Sequence, residues 1–185
     1  MDWDTRYQKN HGYVFGKTPT RFLLENRFFL PAPGTALDVA VGEGRNAVYL
    51  ARLGFRVVGV DLSKAGLIKA SRLATEYGVA IQLVMADLTK MALTQTSLDL
   101  IVCINYLERP LLSTLMEALK PKGRLFMETY TKGQLKYGFG PSNMDHLLKE
   151  GELIELFQGY STLFYQEQDN ELMGAKAGIV VEKRA

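Results

Sequence analysis

The stretch Leu37-Asp38-Val39-Ala40-Val41-Gly42-Glu43-Gly44-Arg45-Asn46-Ala47 decides how the rest of the chain is read. An apolar run of strand length, Thr35 to Val41, gives way to two glycines. A helical period then begins at Arg45, runs to Leu53 and stops at Gly54, with Ala47, Leu50 and Ala51 on one face. Glycines at such a turn let the backbone approach a ligand closely, and the helix that follows presents unpaired N–H groups and the positive end of its dipole. A second strand, Arg56 to Val60, leads to Asp61, which stands 19 residues beyond Gly42. A carboxylate there can accept hydrogen bonds from both hydroxyls of a ribose, so the two features together point to a nucleoside-containing ligand. The glycines do not say which one, because Gly42-x-Gly44-x-x-Ala47 also satisfies the dinucleotide pattern with alanine in third place.

Outward from this unit the same alternation repeats, which is the sequence sign of parallel βαβ units. Ser63 is expected to cap a helix running to about Tyr77 and closed by Gly78, before a third strand from Ala80 to Met85. Leu98 to Ile104 reads as a fourth strand, apolar apart from Asp99, and a helix through Leu111, Leu112, Leu115, Met116 and Leu119 follows. Gly123 then turns the chain into a fifth strand, Arg124 to Tyr130. Thr131 to Asn143, rich in glycine and aromatic residues, is expected to be a loop that can serve as a lid, before a short helix around Met144 to Lys149. Ser161 to Gln166 and Gly178 to Glu182, separated by the polar stretch Glu167 to Glu171, read as an antiparallel pair that finishes the sheet. Ahead of the first strand, a helix is expected to open with Thr18 as its N-cap and Pro19 in its first position, and to end at Leu30-Pro31-Ala32-Pro33-Gly34. The expected architecture is a doubly wound α/β fold with a mostly parallel, seven-stranded sheet and an antiparallel C-terminal strand pair. It is read as one domain over residues 1–185, with a helical cap segment at 1–34 and the α/β core at 35–185.

Composition sets the limits. Hydrophobic residues make up 47% and charged residues 23% of the 185 positions, an ordinary balance for a globular chain. The net charge of +2 arises from scattered residues with no Lys/Arg run, so neither nucleic acid nor a membrane surface is an expected partner. Cys103 is the one cysteine, which removes an internal disulfide, and His11 and His146 belong to no ligand-spaced motif, so no metal site is expected. The start, Met1-Asp2-Trp3-Asp4-Thr5-Arg6, carries acids where a signal peptide needs a basic end, and no run is long and apolar enough to span a bilayer. The expected compartment is the cytoplasm.

Asp38 separates the two ligand readings, since a nicotinamide-binding first strand is usually apolar throughout. A buried carboxylate is costly unless hydrogen-bonded. It is expected either to accept from N–H groups of the glycine loop or to face the amino group of a bound amino-acid moiety. At this point the sequence resembles the class I S-adenosylmethionine-dependent methyltransferases, whose first motif has the sense D-x-G-x-G-x-G; here it runs Asp38-x-Ala40-x-Gly42-x-Gly44, with Ala40 in place of the first glycine. That replacement adds a methyl group near the cofactor. The resemblance implies S-adenosylmethionine as cofactor and S-adenosylhomocysteine as product. It also implies Asp61 with Leu62 at the ribose, Ala86-Asp87-Leu88 at the adenine, Arg45 and Asn46 beside the loop, and Asn105 with Tyr106 after the fourth strand. The chain is more particularly similar to the tellurite-resistance-type branch in Trp3-Asp4-x-Arg6-Tyr7, Gly16-x-x-Pro19 and Gly42-Glu43-Gly44-Arg45-Asn46. In that branch the N-terminal segment folds over the cofactor, which implies a covering role for Tyr7, Tyr13 and Gly16.

The implied reaction is attack of a small-molecule nucleophile on an already activated methyl group, for which the protein mainly aligns and desolvates the partners. A thiol or a chalcogen oxyanion such as tellurite needs no strong base, which agrees with the lack of a catalytic signature. Tyr106, Tyr130 and Tyr137 are candidates for the acceptor pocket or for core packing. Arg6, Lys17 and Arg21 are candidates for attracting an anion or for plain solvation, and Cys103 reads as an inert buried residue. An NAD(P)-dependent oxidoreductase and a cofactor-binding protein without turnover remain as alternative readings.

Overall fold

The computed structural model describes residues 2–185. The chain opens with helices α1 (Trp3–Lys9) and α2 (Arg21–Glu25) and then enters β1 (Thr35–Val39), α3 (Arg45–Arg52), β2 (Arg56–Asp61), α4 (Lys64–Glu76) and β3 (Gln82–Met85). It continues through β4 (Leu98–Ile104), α5 (Arg109–Ala118), β5 (Leu119–Tyr130), α6 (Glu152–Leu156), β6 (Ser161–Asn170) and β7 (Gly174–Glu182). The strands form one seven-stranded sheet in the order β3-β2-β1-β4-β5-β7-β6, parallel from β3 to β5, with β7 antiparallel to both β5 and β6. This is the expected architecture. The order reverses between β1 and β4, and the crevice beyond the carboxyl ends of strands at such a reversal is where open α/β sheets place their ligands.

The two-residue period of the strands explains why helices cover both faces. Leu37, Val39, Ile101, Cys103, Leu125, Met127, Ile179 and Val181 face Leu111, Leu112, Leu115 and Met116 of α5 and Leu153 of α6. The alternate positions Ala36, Leu100, Val102, Phe126 and Val180 face Phe22 and Leu23 of α2 and Ala47 and Leu50 of α3. Asp38 and Glu128 belong to this second face by parity, and both are buried. The β3–β4 connection carries only a 3-10 turn, Leu88–Lys90, and β3 is an edge strand with Val84 and Met85 exposed.

Several boundaries differ from the sequence reading for local reasons. The helix expected at Thr18 begins at Arg21, because the N–H and hydroxyl of Thr20 both bond Asn46 Oδ1, at 2.9 and 3.2 Å, and Thr20 takes the cap position instead. The fifth strand starts at Leu119, before the Pro121-Lys122-Gly123 turn, and pairs Leu119 with Leu98 across an irregularity. The last two strands lengthen towards each other, so that Glu167 to Asn170 belong to β6 and Gly174 to Ala177 to β7. Ser63 caps α4 as expected, its side chain accepting from the N–H of Gly66. Residues 131–143 are an expected loop, interrupted by a 3-10 turn at Lys132–Lys136, and a second such turn, Met144–His146, stands where a short helix was expected.

Gly44 is fixed by packing as well as by conformation. Its φ is +85°, and a Cβ there would stand 2.7 Å from Ala70 Cβ on α4. Gly44→Ala therefore combines left-handed strain with a helix–helix clash, and a loss of about 2 kcal/mol or more is expected in urea denaturation.

Candidate cofactor and acceptor site

A cavity of about 800 Å³ opens at the carboxyl edge of the parallel strands. Of the residues the sequence singled out for the cofactor, Tyr7, Asp38, Ala40, Gly42, Arg45, Asn46, Asp61, Leu62, Ala86, Asp87, Leu88 and Asn105 all line it. Gly44 does not line it, being committed to the α3–α4 contact. Gly16, Tyr106, Tyr130 and Arg6 line it too. Tyr13 lies outside, packing near Val48, Leu73 and Ala74 with its hydroxyl on the Lys69 carbonyl. Tyr137 also lies outside, donating to Asp169 Oδ1 at 2.6 Å. Lys17 and Arg21 are spent on surface ion pairs with Glu76 and Glu25.

The loop after β1 owes its shape to three left-handed residues, Ala40 (φ 53°), Gly42 (φ 53°) and Gly44 (φ 85°). Ala40 thus keeps the conformation that favours glycine, at a cost of about 1 kcal/mol, and strain of this kind is tolerated where it shapes a ligand surface. The loop is held by Asp61, whose Oδ2 accepts from the N–H of Gly42 and whose Oδ1 accepts from the N–H of Ser63, each at 2.8 Å. Burial raises the Asp61 pKa, and the N–H groups of Ser63, Gly42 and Leu62 oppose that rise. The carboxylate still borders the cavity with lone pairs to spare.

Asp38 is 2% exposed and its Oδ2 has no hydrogen-bond partner among the described residues. The expected satisfaction by loop N–H groups is therefore incomplete, with the Ala47 N–H as the backbone donor. Burial pushes its pKa up to about 7, against the effects of that N–H and of the Arg45 guanidinium. An orphaned acceptor on a residue that borders a cavity is what an ammonium group of a ligand would satisfy. Behind it, burial drives the Cys103 thiol up to about 12, so this cysteine is inert as expected.

The N-terminal segment roofs the cavity. Tyr7 is buried, and a Cβ on Gly42 would stand 2.7 Å from its hydroxyl oxygen. Trp3 stacks on Tyr7 with centroids 5.6 Å apart, while the Arg6 and Arg45 guanidinium groups flank the Phe15 ring at 5.6 and 5.3 Å. Two polar ties that the sequence reading missed hold the roof down. Asp4 Oδ1 accepts from Ser63 Oγ at 2.7 Å and from the N–H of Ala65 at 2.8 Å, so a roof residue supplements the cap of α4. The buried Glu43 carboxylate accepts from the N–H of Val14 at 2.7 Å and pairs with Lys69, whose ammonium also bonds the carbonyls of Asn10 and Gly12. The position of Glu43 between two glycines was the only local signal of that role.

On the β4–β5 side the wall consists of Asn105, Tyr106, Leu107, Thr129 and Tyr130, closed by residues 139–143 and His146. Behind it lies a second missed group. Lys176 donates to Asn105 Oδ1 at 2.8 Å and to Glu128 Oε2 at 3.1 Å, and its ammonium lies 4.6 Å from the centre of the Tyr130 ring. Asn105 has φ 57° and donates its N–H to the Glu128 carbonyl at 2.7 Å.

The raised pKa of Asp38 makes stability depend on pH in a definite direction. Between about pH 4 and pH 7 the folded protein keeps a proton that the unfolded chain has lost, so Asp38 lowers stability progressively as pH rises through that window. Asp38→Asn removes this slope. The stability of the variant relative to the parent should rise by about 2–3 kcal/mol from pH 5 to pH 8, measured by denaturant unfolding without ligand. A difference that does not change with pH would contradict the assignment.

Comparison with known proteins agrees with this geometry. Residues 36–123 match a family described as a methyltransferase domain. The ubiquinone biosynthesis O-methyltransferase of Nitrosococcus oceani is 33% identical over 119 residues, covering 61% of this chain and 50% of that protein. The chain spans about half the length of the curated relatives it matches. Among solved structures, TehB from Haemophilus influenzae aligns with a TM-score of 0.77 at 17% identity, over 98% of this chain and 67% of that one. The 1,6-didemethyltoxoflavin-N1-methyltransferase of Burkholderia thailandensis, solved with its namesake compound and S-adenosylhomocysteine bound, aligns with a TM-score of 0.67 at 20% identity, over 89% and 77% of the two chains. In its sheet order, its glycine loop with two carboxylates and its matched segment, the chain is similar to the S-adenosylmethionine-dependent methyltransferases, and residues 36–123 carry the match to the methyltransferase domain.

Proposed function

We propose that the chain transfers the methyl group of S-adenosylmethionine to a small-molecule nucleophile, leaving S-adenosylhomocysteine. The observation that supports this reading is the orphaned, buried Asp38 carboxyl beside the loop that Asp61 shapes: an ammonium group would supply the partner the first lacks, and ribose hydroxyls would use the acceptor capacity of the second. A nicotinamide dinucleotide would use the second and leave the first without a partner.

Bound there, the cofactor supplies a methyl group activated by a positive sulfur. The protein's part is to hold and enclose. Asp61 would take the ribose hydroxyls with Leu62 beside it, Ala86, Asp87 and Leu88 would border the adenine, and Asp38 would ionise against the amino group. Ala40, Gly42, Arg45 and Asn46 would form the floor under the amino-acid portion, with Tyr7 as cover and the Asn105 backbone at its border with the β4–β5 wall, excluding water from the transfer. Burial pushes the Tyr106 phenol up to about 12, which makes it a poor base at neutral pH. That supports an acceptor which is nucleophilic without a strong base, such as a thiol or a chalcogen oxyanion like tellurite, in line with the similarity to the tellurite-resistance-type branch. The curated relatives carry the name of O-methyltransferases, which adds an oxygen nucleophile to the acceptors worth trying.

Calorimetric titration with S-adenosylmethionine, S-adenosylhomocysteine and NADH tests the reading. The sulfur nucleosides should bind selectively, and Asp61→Ala, which removes both the ribose acceptor and the brace on Gly42, should weaken them by about tenfold or more. Affinity should also fall below pH 7, as Asp38 takes up a proton and loses its attraction for the amino group. Binding of NADH alone would overturn the proposal.

A further inference from the structure

Lys176 and Glu128 form an ion pair with side chains only 9% and 3% exposed. Burying such a pair is expensive, and well-packed apolar residues would serve stability as well or better. This pair is also incompletely used, because Glu128 Oε1 has no partner among the described residues. What the pair accomplishes is visible at the cavity wall. The lysine ammonium can only donate, so its 2.8 Å bond to Asn105 fixes the carboxamide with its oxygen turned to Lys176. The Asn105 NH2 group then has no acceptor among the described residues, and Asn105 lines the cavity. The same ammonium sits against the ring of Tyr130, which lines the cavity beside it. Asn105 itself has a left-handed conformation and donates its N–H to the Glu128 carbonyl, so the pair adds a fixed side chain to a wall residue whose backbone is already tied to β5.

We propose that Lys176, held by Glu128, is a positioning residue for the acceptor: it presents the Asn105 NH2 group as a donor on the β4–β5 wall and so selects acceptors that bring a hydrogen-bond-accepting oxygen there. The inference rests on the methyltransferase reading for its use, and on the structure alone for the Lys176–Asn105 contact. It adds to that reading a reason why one acceptor of a given nucleophile class is preferred to another: an oriented donor discriminates by the oxygen beside the reacting atom.

The test uses Lys176→Met, which keeps the unbranched stem one atom shorter and removes the charge, and Lys176→Arg, which keeps the donor. Three readouts separate positioning from plain support: affinity for S-adenosylhomocysteine, the side-chain amide signals of Asn105 by NMR, and turnover of thiosalicylate against thiophenol. The amide signals are identified by their loss in Asn105→Asp. In Lys176→Met, S-adenosylhomocysteine affinity should stay within about twofold, the Asn105 amide pair should move, and the preference of the parent for the carboxylate-bearing thiol should fall by about tenfold. Lys176→Arg should restore most of that preference. If Lys176→Met does not fold, the double variant Lys176→Met with Glu128→Gln, which removes the lysine contact without leaving an unpaired buried charge, carries the same comparison. An unmoved amide pair overturns the proposal, as does a parent protein that uses the two thiols equally or uses neither. A fall of cofactor affinity and turnover in step, with no rescue by arginine, also overturns it and makes the pair structural. Failure of the parent to bind S-adenosylhomocysteine would instead defeat the methyltransferase reading, while the amide signals would still report on the lysine contact.

Discussion

The turn from β1 into α3 passes through a left-handed conformation at Ala40, Gly42 and Gly44, and the site depends on that constraint. A backbone bent in this way turns its N–H groups aside from the sheet ladder, and they must find partners elsewhere. Asp61, at the end of the neighbouring strand, supplies one to Gly42 and a second to Ser63 at the start of α4. One carboxylate therefore ties the ends of β1 and β2 and the start of α4 into a single rigid corner. Gly44 completes that corner by letting α3 approach Ala70, and Asp38 is sealed beneath it.

The roof extends the same corner. Asp4 shares the cap of α4 with Ser63, and Glu43 lies within the glycine loop while accepting from Val14 of the roof. Loop, helix start and roof are thus parts of one hydrogen-bonded set, and none of them is positioned independently of the others. The β4–β5 wall is built separately, from Lys176 and Glu128 on the antiparallel side of the sheet. The cavity has two construction systems, one on the side of the two carboxylates and one on the β4–β5 side.

Much of this was legible in the sequence because it depends on short-range chemistry. The strand periods gave seven strands and both covered faces, the glycines with Asp61 gave the ligand edge, and Ser63 gave the start of α4 because a cap is made within three residues. What the sequence hid depends on distant partners. Thr18 has the chemistry of a cap, yet Asn46 draws Thr20 into that place from 26 positions away. Glu43 and Lys69 are ordinary surface residues in a one-dimensional reading and become a latch only when α4 is laid beside the loop. Lys176 lay ahead of the expected start of the last strand, at Gly178, and the observed strand begins at Gly174 and pairs Lys176 with Tyr130. A buried lysine in a strand has no periodic signature, and Glu128, directly after the apolar run Leu125 to Met127, was its only sequence hint.

The two margins of the sheet are unlike one another. β6 forms one margin and carries Glu167 and Asp169, with the Lys136 and Tyr137 side chains folded over Asp169. β3 forms the other, is free of charged residues, and sits beside a connection too short to cover it, with Val84, Met85 and the adjacent Leu62 open to solvent. Inward or edge-borne charge is the usual guard against the addition of foreign strands, and only one margin has it. Charge therefore opposes strand addition at the β6 margin and leaves the β3 margin, on the side of the sheet away from the β4–β5 wall, without that guard.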